Sequence, residues 1–270
     1  MLGKLIKHEF KATRKNFSVL FAAMLLVTLL IKPLFWIQKG MISDDIPFSV
    51  SEFAVIWFFF LVMGLFLTAG MLLSIVRYYQ SLTCDEAYLT FTLPVTVDQV
   101  IWSKALTGFI WNLAGSILMV CCTVLAFAGT PFMRQVWPIV AEDIQFQSDF
   151  SVGTILFLCT LNVLMLLSNM LYLICVIGIG QLFGKYRLLA TICSYFVLNM
   201  LTSFLFLLLA IPTGVISFAY TVGESEVVMN EAGMGTGEIG TVVYVVYALI
   251  IGIGAFLGSR YLFSKKLNLE

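Results

Sequence analysis

Six hydrophobic runs, at residues 17–37, 53–76, 105–130, 152–183, 188–214 and 239–259, constrain this chain more than any other feature. Each is nearly free of charge and reaches the roughly 20 residues that a helix needs to cross the hydrocarbon core. Lipid offers no hydrogen-bond partners, so a spanning segment must satisfy its own backbone, and for isolated runs that means a helix. Charged residues are 11% of the chain, against roughly 25% in a soluble domain, and no stretch remains that could form a soluble domain of its own. The first run is the weakest, because Lys32 and Pro33 interrupt its end, although Lys32 can snorkel to the headgroups.

The loops between these runs divide the charge. One set of connections holds Lys4, Lys7, Lys11, Arg14, Lys15, Arg77, Lys104, Lys185, Arg187, Arg260, Lys265 and Lys266, twelve of the fifteen basic residues. The other holds only Lys32, Lys39 and Arg134, together with ten carboxylates that include Asp44, Glu52, Asp143, Glu224 and Glu238. Cytoplasmic loops carry the excess of Lys and Arg, so both termini are expected in the cytoplasm. Shifting the arrangement by one span would mix the two sets. The opening lacks a small-residue cleavage site before Lys32 and reads as a retained anchor, not a cleaved signal. Zero net charge gives no reason to expect nucleic acid as a partner.

Two segments depart from simple spans. In residues 1–16, Leu2, Leu5, Ile6 and Phe10 follow helical spacing while five basic residues cover the other face, the pattern of a helix lying in the membrane interface. The plainer alternative is a positive flank that only orients the first span. Further on, no charge occurs from Leu188 to Gly223, and Pro212-Thr213-Gly214 breaks this stretch. Backbone that leaves the helix at membrane depth must be buried or line a wet cavity, so a full span to about Ile211 and a short re-entrant piece over 212–222 are expected.

The segment 77–104 mixes charge, aromatics and a Leu93-Pro94 break on the basic side. Thr83 or Asp85 can cap a short helix that ends near Phe91, and Thr96-x-x-Gln99 forms a capping box that opens the next helix into span three. Movement of the short helix would pass to that span.

The run from Asp85 to Val95, followed by Ser103-Lys104 at the head of a span, resembles the coupling region of permease subunits of bacterial type-2, exporter-like ABC transporters. The six spans, the basic opening through Arg14 and the hydrophobic break between spans five and six match that family as well. The architectural likeness covers nearly the whole chain, and the motif only about thirty residues. It implies an all-α integral membrane protein with six transmembrane helices, an N-terminal interfacial elbow helix and a cytoplasmic coupling helix between spans two and three. The organisation expected is 1–16 interfacial helix, 17–263 six-span domain, and 264–270 cytoplasmic tail.

The resemblance also implies partners: a second permease, identical or not, and two cytosolic ATPase subunits that bind ATP and Mg, with no cofactor in this chain. Consistent with that division, the sequence holds no GxxxxGK[ST] phosphate loop, and Gly184-Lys185-Tyr186 is only a short basic loop. Asp85, Glu86, Tyr88, Leu89, Phe91, Leu93 and Pro94 become the candidate ATPase-coupling residues. Tyr88, Leu89, Phe91 and Leu93 are the better docking surface, since interface cores favour aromatics, and the carboxylates are otherwise ordinary solvated residues. The expected setting is a bacterial plasma membrane, with lipids, polysaccharides, drugs and antimicrobial peptides among the cargoes the family moves.

Asparagines within the spans are the remaining candidates. Asn162 and Asn169 stand seven residues apart, about 10 Å along one helical face. Tyr195, Asn199 and Thr202 form a second polar stripe, and Asn112 lies in span three. Such residues either glue helices together, at on the order of 1 kcal/mol each, or line a translocation path. Gly254-x-x-x-Gly258 allows close helix approach, and Trp57-Phe58-Phe59-Phe60 reads as lipid-facing or packing surface. No Asp, Glu, Lys or Arg sits at mid-depth, which disfavours an ion-driven carrier and an intramembrane protease. No CxxC pair or His cluster suggests a metal site. Rival readings are a non-transporting immunity or anchoring protein and, with less support, a membrane-embedded enzyme.

Overall fold

The computed structural model describes residues 2–39, 50–83, 95–128, 152–183, 186–210 and 234–265. These form six helices and no strand: α1 (Leu2–Lys39), α2 (Val50–Thr83), α3 (Val97–Phe127), α4 (Val152–Gly180), α5 (Arg187–Ala210) and α6 (Met234–Lys265). Each holds a segment long and apolar enough to cross a membrane, so the chain is a multi-pass helical membrane protein. Several helices outrun their charge-free stretches. α2 continues to Thr83, α3 begins at Val97 and α6 reaches Lys265, because charged turns at the membrane surface remain helical.

One element differs from expectation. α1 runs unbroken from Leu2 to Lys39, so residues 1–16 are not a helix separate from the first span. No glycine or proline occurs between Lys4 and Lys32 to break it. A buried stripe of Thr13, Phe17, Met24, Thr28 and Ile31 carries the packing face across the expected boundary. Pro33, expected to weaken the end of this span, stands inside the helix. The short helix expected near Asp85–Phe91 and the re-entrant piece over 212–222 lie outside the described residues.

The chain forms two compact units. The first comprises Met1–Gln80 and Leu106–Leu158, the second Ser81–Ala105 and Cys159–Glu270, so α2 and α3 contribute to both. In the first unit, Trp111 of α3 stacks between Phe10 and Phe17 of α1, with centroids 4.5 and 4.9 Å away. Its indole Nε1 donates to Thr13 Oγ1 at 2.8 Å, satisfying the one polar atom of a buried indole. Further along, Met24, Ile31, Ile56, Phe59, Met63, Cys122, Ala126 and Phe127 join the three helices in one cluster. Phe59 is fully buried there while Trp57, Phe58 and Phe60 are exposed, so the aromatic run serves both packing and lipid. Arg77 Nε pairs with Glu9 Oε2 at 3.1 Å, both side chains largely shielded.

The second unit is organised around α4, whose stretch from Met170 to Ile177 is buried at nearly every position. Its contact with α6 depends on small residues, of which the expected Gly254/Gly258 pair supplies only Gly258. A Cβ on Gly254 would meet nothing, whereas one on Gly258 would stand 3.0 Å from Cys175 Sγ. Ala248, Gly252, Ala255 and Ser259 make up the rest of that face, at helical spacing. Ser168 Oγ donates to the Ala248 carbonyl at 2.9 Å, and a Cβ on Gly252 would lie 2.8 Å from that same hydroxyl. Gly252→Ala is therefore expected to push Ser168 away and cost about 1–2 kcal/mol. Unfolding of the purified protein in mixed detergent checks this, and unchanged stability would mean the contact is loose.

Candidate functional site

A polar cleft opens in the second unit, with a volume of about 190 Å³. Asn169 and Tyr172 reach it from α4, Tyr195, Asn199 and Thr202 from α5, and Tyr247 from α6. Helical geometry explains the set: Asn169 and Tyr172 are three residues apart, as are Asn199 and Thr202, so each pair shares a face. Met165, Ala248 and Ile251 supply apolar floor. Tyr172 donates its hydroxyl to the Tyr195 carbonyl at 3.3 Å, and the two rings meet edge to face at 6.2 Å. Tyr247 is backed by Phe206, 5.3 Å between centroids. Every lining residue is uncharged, so the cleft can donate and accept hydrogen bonds but cannot neutralise an ion.

The four candidate asparagines separate here. Asn169 and Asn199 line the cleft. Asn112 does not: it is buried in the first unit, where its Nδ2 donates to Ser74 Oγ at 3.1 Å and to the Gly108 carbonyl at 2.9 Å. That is interhelical bonding. Asn162 is exposed on α4 and lies apart from the cleft lining. Ser168, Tyr172 and Tyr247 join the site without having been singled out in the sequence. Tyr172 could have been found as an extension of the Asn169 face by one turn, whereas Ser168 and Tyr247 carried no such signal.

A second constellation holds the end of α2 and the start of α3. Gln181, just past α4, donates Nε2 to the Leu82 carbonyl at 2.6 Å and to Thr83 Oγ1 at 3.0 Å. Arg187, opening α5, donates to the Thr83 carbonyl at 3.4 Å. The last carbonyls of a helix have no intrahelical donors and carry partial negative charge, so an amide and a guanidinium are suited to that end. Lys104, almost fully buried on α3, donates to Ser81 Oγ. At the start of α3, the Thr96 carbonyl accepts from the Gln99 and Val100 amides at 3.0 and 3.2 Å, which makes Thr96 the N-cap. Asp98 in the first turn lies 3.3 Å from Arg260 of α6, and Trp102 packs on Phe256.

Both ends of the stretch 84–94 are thus anchored to α4, α5 and α6. The candidate coupling residues Asp85, Glu86, Tyr88, Leu89, Phe91, Leu93 and Pro94 lie outside the described residues, between these two anchors. Arg187 was legible only as a basic residue beside a short loop and Gln181 not at all, since each bonds a backbone carbonyl about a hundred residues away.

Fold and site together define a multi-pass helical membrane protein, compatible with a transporter component, that carries an uncharged cleft and a firmly bonded α2 end and α3 start. Comparison with protein-family models, curated proteins and solved structures finds no match to this chain.

Proposed function

We propose that this chain is the permease subunit of an ATP-driven exporter of the type-2 ABC class, working with a second permease and separate cytosolic ATPase subunits. The observation that carries the reading is the clamp. Residues 84–94 are preceded by an α2 end held by Gln181 and Arg187 and followed by an α3 start paired with α6. A force delivered to these two helix ends reaches α4, α5 and α6, the helices that form the polar cleft. Lys104, Arg187 and Arg260 stand by these helix ends, which supports a basic side there; the reading takes that side as cytoplasmic, with both termini on it, in a bacterial plasma membrane. Asn169 and Asn199 are the path residues this reading favours, and Asn112 is assigned to packing.

The chain is not expected to be an enzyme by itself; ATP and Mg belong to its partners. Affinity purification from its own host membrane should recover a cytosolic ATPase, and the isolated polypeptide should show no nucleotide turnover. ATP hydrolysis by this chain alone would end the assignment. Recovery of the protein without any ATPase under mild conditions would favour an immunity or anchoring role instead.

A further inference from the structure

The cleft also carries information about cargo, on the premise that the chain is an exporter permease. Asn199 follows Arg187 by twelve residues and Asn169 precedes Gly180 by eleven, so each lies about 17–18 Å along its helix from the clamped end. Across a hydrocarbon layer of about 30 Å that is near mid-depth. Polar side chains there are costly unless something satisfies them. Among the described residues, the Asn169 and Asn199 amides have no hydrogen-bond partner.

The cleft is open to the side. Ala210 is the buried residue of α5, while Tyr195, Asn199 and Ser203 in the lining are exposed, and Phe196, Met200 and Phe204 beside them offer apolar surface. A ligand could keep hydrocarbon tails in the bilayer and place only a headgroup among the amides. The lining excludes charge, because a phosphate or ammonium would find no counter-ion at this depth. It offers two carboxamides, each both donor and acceptor, with phenol and aliphatic hydroxyls and ring faces. A volume of about 190 Å³ matches a single sugar ring and is too small for a folded peptide.

We infer that the cleft is a mid-membrane station for the uncharged, hydroxyl-rich headgroup of a glycolipid passing along α5. The test uses the purified full chain alone in phosphatidylcholine nanodiscs, so it does not depend on any ATPase. Monoglucosyl diacylglycerol and phosphatidic acid with the same acyl chains compete for retention, read by native mass spectrometry. The expected result is about tenfold preference for the glucosyl lipid, reduced about tenfold in Asn199→Leu and in Asn169→Leu, as for loss of one amide's hydrogen bonds. Equal retention of the two lipids by the unaltered chain, or preference for the phosphate, would overturn the inference even if both variants failed to fold. Preference that persists in folded Asn199→Leu and Asn169→Leu would overturn it too. ATPase recovery without glucosyl preference would leave the exporter reading intact and remove this cargo; glucosyl preference without any ATPase would do the reverse.

Discussion

Replacing Gly180 with alanine is expected to be the most damaging glycine-to-alanine change among the described residues. Gly180 ends α4 where α5 comes back against it, and a Cβ there would overlap Thr191 Oγ1 and stand 2.9 Å from the Thr191 Cα. The Thr191 hydroxyl cannot simply rotate away at no cost, since it donates to the Arg187 carbonyl at 2.8 Å, and the backbone atom behind it cannot move without shifting α5. Overpacking of this kind costs about 3 kcal/mol or more where the neighbour is backbone. The displaced helix start carries Arg187, and Gln181 is the next residue along, so both groups on the α2 terminus would lose alignment. The measurable result is a large fall in unfolding midpoint together with loss of transport. Thr191→Gly in the Gly180→Ala background should recover part of the stability, because it removes the side chain in the way. A stable, active Gly180→Ala protein would mean that the α4–α5 turn is far looser than its geometry implies.

If the chain is the proposed exporter permease, Tyr88→Ala combined with Phe91→Ala is expected to have the second large effect, on ATPase association and not on folding. Buried aromatic anchors at protein interfaces are worth about 2 kcal/mol or more apiece. Removing two should weaken ATPase binding about a hundred- to a thousandfold. Membrane insertion should remain normal, since the six apolar segments are untouched. The check is ATPase recovery on the purified double variant, alongside its unfolding midpoint. Unchanged recovery and unchanged transport would make 84–94 a solvated loop, and the clamp around it a purely structural feature.

Much of the candidate site was readable along the chain, and the unread part has a clear cause. The stripe Tyr195, Asn199, Thr202 could be seen from spacing alone, because three or four residues bring side chains to one face whatever that face touches. The pairing of Asn162 with Asn169 obeyed the same rule, yet only Asn169 lines the cleft. A seven-residue step drifts around the helix by ~20°, and about two turns along α4 the neighbouring helices need not follow. Gln181 and Ser168 were invisible for another reason: each donates to a main-chain carbonyl of a distant helix, and carbonyls carry no residue identity.

The amino-acid sequence by itself determined the number of spanning helices, their approximate ends and the segregation of basic from acidic connections. Those properties follow from the transfer of whole segments into lipid, which sums over residues and ignores their neighbours. Only the tertiary structure decided how each helix is rotated about its axis. In a soluble protein an apolar stripe announces that rotation, but these helices are apolar all round, since lipid and protein interior accept the same side chains. The choice then falls to packing shape and to a few hydrogen bonds. Trp111 between Phe10 and Phe17, and Gly252 against Ser168, orient their helices, and Asn112 is turned inward while Asn169 and Asn199 face the cleft.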